Sequence, residues 1–263
     1  MTKRNTQQRR HAIATLVQEQ GEVSVEELTQ RFATSEVTIR KDLALLETSG
    51  VLLRRYGGAV SLPNEMVAEA ESDKVSLRKQ MIARVAAERI RDHNRVIIDS
   101  GTTTSAMIPL LGNKQGLVVM TNSLNVASQL RELENEPILL MTGGTWDPHS
   151  ESFQGQVAEQ ALRSYDFDQL FIGADGIDLA RGTTTFNELV GLSRVMAEVA
   201  REVIVMVESE KIGRRIPNLE LPWQRIHTLV TDDALNDDAR QQIESKGVTV
   251  ICAPTSADTP RRK

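Results

Sequence analysis

Two groups of residues in this 263-residue chain have types and spacings suited to chemistry. The first is a set of short polar turns, each following a run of β-branched and aliphatic residues. They are Asp99-Ser100-Gly101-Thr102-Thr103-Thr104, Thr121-Asn122-Ser123, Thr142-Gly143-Gly144, Gly173-Ala174-Asp175-Gly176 and Glu208-Ser209-Glu210-Lys211. Glycine lets a ligand approach the backbone, while hydroxyls and the amides that open a helix hydrogen-bond anionic oxygens. Ser100-Gly101-Thr102-Thr103, ahead of a helical pattern, suits a phosphate, and Lys211 adds positive charge. Thr183-Thr184-Thr185-Phe186-Asn187-Glu188 is a further polar run before a helix, with Glu188 able either to cap that helix or to bind a ligand hydroxyl. Ordinary βα turns and caps use the same residue types. It is the number of such turns on one sheet edge that points to a small-molecule site.

The second group lies in the stretch Thr34 to Gly50. At 100° per residue Ile39, Leu43 and Leu46 share one face, while Val37, Lys41 and Ala44 lie opposite, with Thr38 and Arg40 on the flanks. A helix with an apolar back and a small, polar and basic front suits the major groove of a duplex. Ser35 fits a helix cap as well as a contact, and Asp42 is expected to pair locally.

The elements that would hold these groups follow from pattern and punctuation. Ile13, Leu16 and Val17 mark a helix over 7–20 that Gly21 ends, and Ser24-Val25-Glu26-Glu27 has the form of a capping box opening a short helix through Phe32. After Gly50, Val51–Val60 reads as a hairpin with a basic-aromatic stretch (Arg54, Arg55, Tyr56) and a Gly57-Gly58 turn. Three helices and a hairpin make a winged helix-turn-helix domain, residues 1–60. Residues 61–75, polar and interrupted by Pro63, read as a linker turning helical near Ser72, with a helix to about Arg91. Residues 76–263 form a larger α/β domain for effector binding and oligomerisation. Its strands are expected at 95–99, 117–121, 137–141, 168–173, 202–207, 227–231 and 247–251, and its helices at 103–111, 123–134, 156–164, 188–200 and 236–246. Continuous apolar strands spaced by helices imply a mostly parallel sheet covered on both faces. In such sheets ligands bind beyond the carboxyl ends of the strands, where the polar turns lie.

Composition sets the bounds. The chain is 40% hydrophobic and 25% charged with 3% aromatics, an ordinary globular balance with an aliphatic core. A single cysteine, Cys252, excludes an internal disulfide, and the isolated histidines give no metal site. Residues 1–60 hold nine Lys/Arg against seven Asp/Glu, whereas the remainder holds 22 against 29. A slightly basic head on an acidic body fits a protein whose head alone meets phosphate. No membrane span or signal peptide is read, and neither a Walker-type nor a dinucleotide glycine loop is present, so no cofactor is expected and the cytoplasm is the expected compartment.

Ser24-Val25-Glu26-Glu27-Leu28, Ser35 to Leu43, Leu46-Glu47 and Arg54-Arg55-Tyr56-Gly57-Gly58-Ala59 resemble the N-terminal domain of the DeoR family of bacterial transcriptional repressors. The resemblance continues through Asp99-Ser100-Gly101-Thr102-Thr103, Met120 to Ser123, Thr142-Gly143-Gly144, Ser152 to Gly155, Tyr165 to Asp168, Gly173 to Asp178 and Thr184 to Glu188, covering nearly the whole chain. Within the family the chain looks most like repressors of glucitol (sorbitol) and related hexitol or amino-sugar operons, notably over Ala200–Met206 and Lys211–Arg215. The likeness implies that Ser35, Thr38, Arg40 and Lys41 meet DNA, with Arg54 and Arg55 on the wing. It also implies a sensor domain similar in fold to ribose-5-phosphate isomerase, which binds a phosphorylated sugar and then releases the operator. Two departures stand out: Asp147 occupies the place of an expected arginine, and Glu208-Ser209-Glu210-Lys211 replaces the usual Asp-Ser-Ser-Lys. They leave either a different effector or a phosphate seated at Ser100–Thr104.

Together these readings expect a ligand-responsive repressor bound to operator DNA, nucleoid-associated when bound, and a homodimer or homotetramer because one winged helix reads too few base pairs. The alternative is a sugar-phosphate isomerase with a DNA-binding appendage, in which Asp175, Glu188 and Lys211 supply acid, base and charge.

Overall fold

The computed structural model describes residues 3–48, 52–55, 57–61, 75–148, 150–187, 190–214 and 216–254. The chain divides into two compact units, Met1–Lys74 and Val75–Lys263. The interior of the expected linker (62–74), Tyr56 and Glu188 lie outside the described residues.

The first unit begins with α1 (Lys3–Gln20), followed by β1 (Glu22–Ser24), α2 (Val25–Arg31), α3 (Glu36–Thr48), β2 (Leu52–Arg55) and β3 (Gly58–Ser61). Ser24 caps α2, its hydroxyl accepting the Glu27 amide at 3.0 Å. The apolar stripes of the three helices meet as spaced: Ile13, Leu16 and Val17 pack with Leu28 and with Ile39, Leu43 and Leu46, closed below by Leu52 and Ala59. Where only a hairpin is expected, a third strand is present. β1 pairs antiparallel with β3, Val23 opposite Ala59, giving the order β1-β3-β2. Three residues are too few to show alternation, so pairing with the hairpin is what makes β1 a strand. Gly58 is required there, since a Cβ would run into the Val23 carbonyl.

The second unit opens with α4 (Leu77–Ala87), capped by Ser76. The chain continues through β4 (Arg95–Ile98), α5 (Thr102–Ser105), β5 (Val118–Thr121), α6 (Leu124–Leu130), β6 (Ile138–Met141), β7 (Thr145–Asp147), β8 (Ser152–Gln154) and α7 (Gln156–Arg163). It ends with β9 (Phe167–Ile172), β10 (Gly176–Asp178), β11 (Gly182–Thr185), α8 (Gly191–Val199), β12 (Ala200–Met206), β13 (Asn218–Pro222), β14 (Thr228–Asp232), α9 (Asp237–Glu244) and β15 (Thr249–Ala253). The seven strands expected from apolar runs pair in parallel throughout, in the order β15-β14-β12-β9-β4-β5-β6. Successive residues serve opposite faces. Ile97, Leu170, Ile172, Val203 and Val205 pack with α7, α8 and α9. Val96, Ile98, Phe171, Ile204 and Met206 pack with α4, α6 and the 3-10 turn Ile108–Leu111.

Two smaller pieces are additional: the hairpin β7–β8 and an antiparallel sheet β10-β11-β13. The latter takes up Gly182–Thr185 and with it Thr183-Thr184-Thr185, read above as the start of a polar run before a helix but buried here. Threonine is β-branched and favours a strand once its hydroxyl has a partner. The chain runs outward from β4 through β5 to β6, then returns to β9 on the other side of β4. The order therefore reverses between β4 and β9, and it is beyond the carboxyl ends at such a reversal that open α/β sheets offer a ligand crevice.

Candidate functional site

On the first unit, α3 presents Val37, 61% exposed, with Lys41 and half-exposed Leu45 in the same direction. Among the described residues Lys41 forms no ion pair. Ser35 caps the start, its hydroxyl 2.9 Å from that of Thr38 and accepting the Thr38 amide at 3.3 Å. Both hydroxyls are thus tied together at the entry to the helix. Arg40 pairs with Glu36 at 2.7 Å one turn back. Arg54 lies 3.7 Å from Glu47, and Arg55 pairs with Glu22 at 2.9 Å. Asp42 does not pair locally: it is buried and accepts from Arg9 Nε at 2.6 Å and Arg10 Nε at 2.7 Å, on α1. A buried carboxylate needs a cation beside it, and α1 is the element packed on that flank.

On the second unit, the turn after β4 and its neighbours converge at the strand reversal. Asn122 bridges them: its amide donates to Asp99 at 2.8 Å and its oxygen accepts the Ser100 amide at 3.0 Å. Burial pushes the Asp99 carboxyl up to about 6, against the Asn122 hydrogen bond, and the nearby Asp175 charge adds to the rise. Asp175 accepts the Thr185 hydroxyl at 2.7 Å and the Phe186 amide at 3.1 Å. Behind them Glu220 on β13 accepts the hydroxyls of Ser193 at 2.8 Å and Thr183 at 3.2 Å. Burial pushes Glu220 up to about 8, and the Asp99 and Asp175 charges raise it further. Three carboxyls thus stand in one neighbourhood, with Glu220 the most deeply buried of them. Among the described residues no set of three His, Cys, Asp or Glu is placed to hold a metal ion.

The remaining turn residues divide between lining and support. Ser100, Gly101, Thr102 and Thr103 are open or half-buried at the mouth, with Gly101 at φ 138. Thr102 Oγ1 accepts from Lys79 Nζ at 3.0 Å, and Lys79, 4% exposed, lies 4.0 Å from Glu208. Glu208 in turn accepts the Ser76 hydroxyl at 2.8 Å. Thr104 is buried, its hydroxyl donating to the carbonyls of Asp99 and Gly101. Thr121 accepts the Ser123 amide and Ser123 caps α6, so both serve the turn itself. Gly143 and Gly144 have φ of 63 and 108, and Gly144 passes against the Gln154 carbonyl. Gly176 pairs with Thr184 across β10 and β11, while Asn187 donates its amide to Thr185 and accepts from Asn218. Lys211 ends the 3-10 turn Ser209–Lys211, half-buried.

Lys79 and Glu220 went unread in the sequence, although Lys79 had a signal. It falls on the inward stripe that Ile82, Ala83 and Ala86 define, where a charge is out of place. Asp147, standing where an arginine was expected, accepts the Ser150 hydroxyl at 2.6 Å and so braces the turn between β7 and β8. Trp223 is core, its Nε1 donating to the Leu179 carbonyl at 3.1 Å, while Trp146 packs edge-on against Phe153 in the hairpin. A separate cleft of about 380 Å³ lies at the amino ends of the strands, lined by Arg95, Arg163 and Arg201. There Arg163 is answered by Glu159 and Glu198 and Arg201 by Asp168, which leaves little charge for a ligand.

Residues 9–65 match the family described as DeoR-like helix-turn-helix domain, and residues 74–233 match the DeoR C terminal sensor domain. A putative aga operon transcriptional repressor of Escherichia coli O157:H7 is 40% identical over 252 residues, 94% of this chain and 93% of that protein. The glycerol-3-phosphate regulon repressor of Escherichia coli K12 is 35% identical, covering 79% of this chain and 83% of its own. The regulator GlpR of Haloferax volcanii is 33% identical, covering 93% and 96%. Among solved structures, ribose 5-phosphate isomerase A of Methanocaldococcus jannaschii overlaps 51% of this chain and 53% of its own, at TM-score 0.37 and 18% identity. That overlap is too loose to speak to chemistry.

Proposed function

The chain belongs to the DeoR family of transcriptional repressors and is a regulator, not an enzyme, and from that premise we propose that it represses a sugar or hexitol operon and leaves its operator when a phosphorylated sugar binds the crevice at the β4–β9 reversal. In this reading residues 1–60 grip DNA, 61–75 link, and 76–263 sense and self-associate as a homodimer or homotetramer in the cytoplasm. Among the described residues no helix is long and apolar enough to cross a membrane. The relatives' names, an aga operon and a glycerol-3-phosphate regulon, support a carbohydrate-linked effector.

One observation carries the effector reading. Buried Lys79 donates to exposed Thr102 at the β4–β9 reversal, beside exposed Gly101 and half-buried Ser100, while Asp99 and Asp175 stand nearby. Cation and hydroxyls at one end suit a phosphate, and carboxyls suit the hydroxyls of a sugar. The one-turn helix α5 has little dipole of its own, so what charge there is for a phosphate comes from Lys79, which Glu208 shares at 4.0 Å. A thermal-shift screen of the full chain with sugar and hexitol phosphates, each beside its unphosphorylated form, tests this. A ligand that binds only the folded state raises the melting point. Melting points raised by the phosphorylated forms alone support the reading, and none raised by any of them sinks it.

Two substitutions separate the two halves of the proposal. Lys41→Ala is expected to weaken operator binding by about 1–3 kcal/mol as a lost base contact. Unchanged affinity on DNA selected by the wild-type chain from a random library removes Lys41 from the interface. Thr102→Glu sets a carboxylate beside Lys79, in the place proposed for the phosphate. It is expected to leave DNA binding intact and to abolish release by whichever sugar phosphate shifts the wild-type melting point. Normal release from that variant moves the anion site elsewhere.

A further inference from the structure

The charges around α3 balance on one flank and not on the other. Arg40 faces Glu36, and Arg54 faces Glu47, one acid for each cation. Asp42 holds two cations, Arg9 on Oδ2 and Arg10 on Oδ1, so this group carries a net positive charge. One arginine suffices to neutralise a buried carboxylate, and Arg9 meets that need with a side chain only 11% exposed. Arg10 keeps 34% of its side chain open. Its Nε is committed to Asp42, which leaves four Nη hydrogens, and among the described residues no acceptor takes them. Asp42 follows Thr38 by one helical turn, so the two share a flank. Arg10 is therefore held along the edge of α3 that Thr38 borders, facing away from the neutralised flank of Glu36, Arg40 and Glu47.

We infer that Arg10, oriented by Asp42, is a backbone contact of the reading face, giving its Nη donors to a phosphate oxygen of the duplex that α3 enters. The planar fork of arginine can bond a carboxylate through Nε and a phosphate through Nη at once, which an ammonium cannot do in fixed geometry. The inference rests on the proposal that α3 reads DNA, and it adds α1 to the interface.

The test uses the full chain and a mixed-sequence duplex of about 30 base pairs, titrated from about 50 to 200 mM NaCl. Arg10→Gln is expected to bind roughly tenfold more weakly, with a salt slope shallower by about 0.9 for each bound protomer. Arg10→Lys is expected to keep the wild-type slope, since a charge still meets the phosphate. Wild-type affinity and slope in Arg10→Gln overturn the inference while DNA binding by the wild type stands. A wild-type chain that binds no duplex removes the DNA reading, and the inference with it. If Arg10→Gln loses helicity, phenylglyoxal labelling of the wild type decides. Slower modification of Arg10 on duplex supports the contact, and equal modification with and without duplex overturns it.

Discussion

Asp42→Ala is expected to loosen the first unit by about 3 kcal/mol, the effect of stripping the partner from buried charge. The carboxylate is buried and joins α1 to α3 through 2.6 and 2.7 Å bonds, so its loss leaves Arg9 enclosed without an anion. The apolar contacts of Ile13, Leu28, Ile39 and Leu43 remain, so the unit should open more often rather than collapse outright. Both tryptophans lie in the second unit and are blind to this change. Hydrogen exchange on the full chain sees it. Peptides from α1 and α3 should exchange faster, those from β4 and β9 at the wild-type rate, and DNA affinity should fall with them. Unchanged protection in α1 and α3 would remove Asp42 as the tie between them.

Glu220→Gln should change the pH dependence of the second unit. The folded carboxyl titrates at about 8 and its ordinary value is 4.5, so between those values the folded chain holds a proton that the unfolded chain has released. Stability therefore falls as pH rises through this window, by on the order of 5 kcal/mol in all. Asp99, raised to about 6 from 3.8, pulls the same way over a lower range. Glutamine cannot ionise, and the Ser193 and Thr183 hydroxyls can each donate or accept, so its amide finds partners. Melting points of wild type and variant should nearly coincide near pH 5 and diverge in the variant's favour toward pH 8.5. Parallel curves would show that Glu220 ionises as freely folded as unfolded. The same crowding of acids bears on the effector, since sugar hydroxyls donating to Asp99 and Asp175 would relieve it.

Much of this architecture was legible because it depends on local pattern. Seven apolar runs separated by helical stretches leave a covered parallel sheet as the natural arrangement, and all seven strands occur near their expected bounds. Ile39, Leu43 and Leu46 likewise specify the inward face of α3. What escaped depends on partners distant in the chain. The strand status of Glu22–Ser24 comes from β3, and that of Gly182–Thr185 from β10 and β13. Asp42 was expected to pair nearby because helical neighbours are the pairings a sequence displays, whereas its cations stand 33 and 32 residues away. Turn chemistry marked the carboxyl edge of the sheet, where the strands end. It could not distinguish hydroxyls that face a ligand from those, such as Thr104, Thr121 and Ser123, that are spent on the turn. Glu220 comes from a strand whose own pattern gives no sign of it, whereas Lys79 stands out only as a charge on the inward stripe of α4.

The reversal between β4 and β9 also governs how the second unit can be assembled. Val96 must wait for Gln169, 73 residues later, before that side of its strand is paired. During synthesis β4, β5 and β6 can join while the inner edge of β4 stands bare, an apolar template open to any passing strand. Folding of this unit should accordingly be slow for its size and should depend on chaperone cover until β9 emerges.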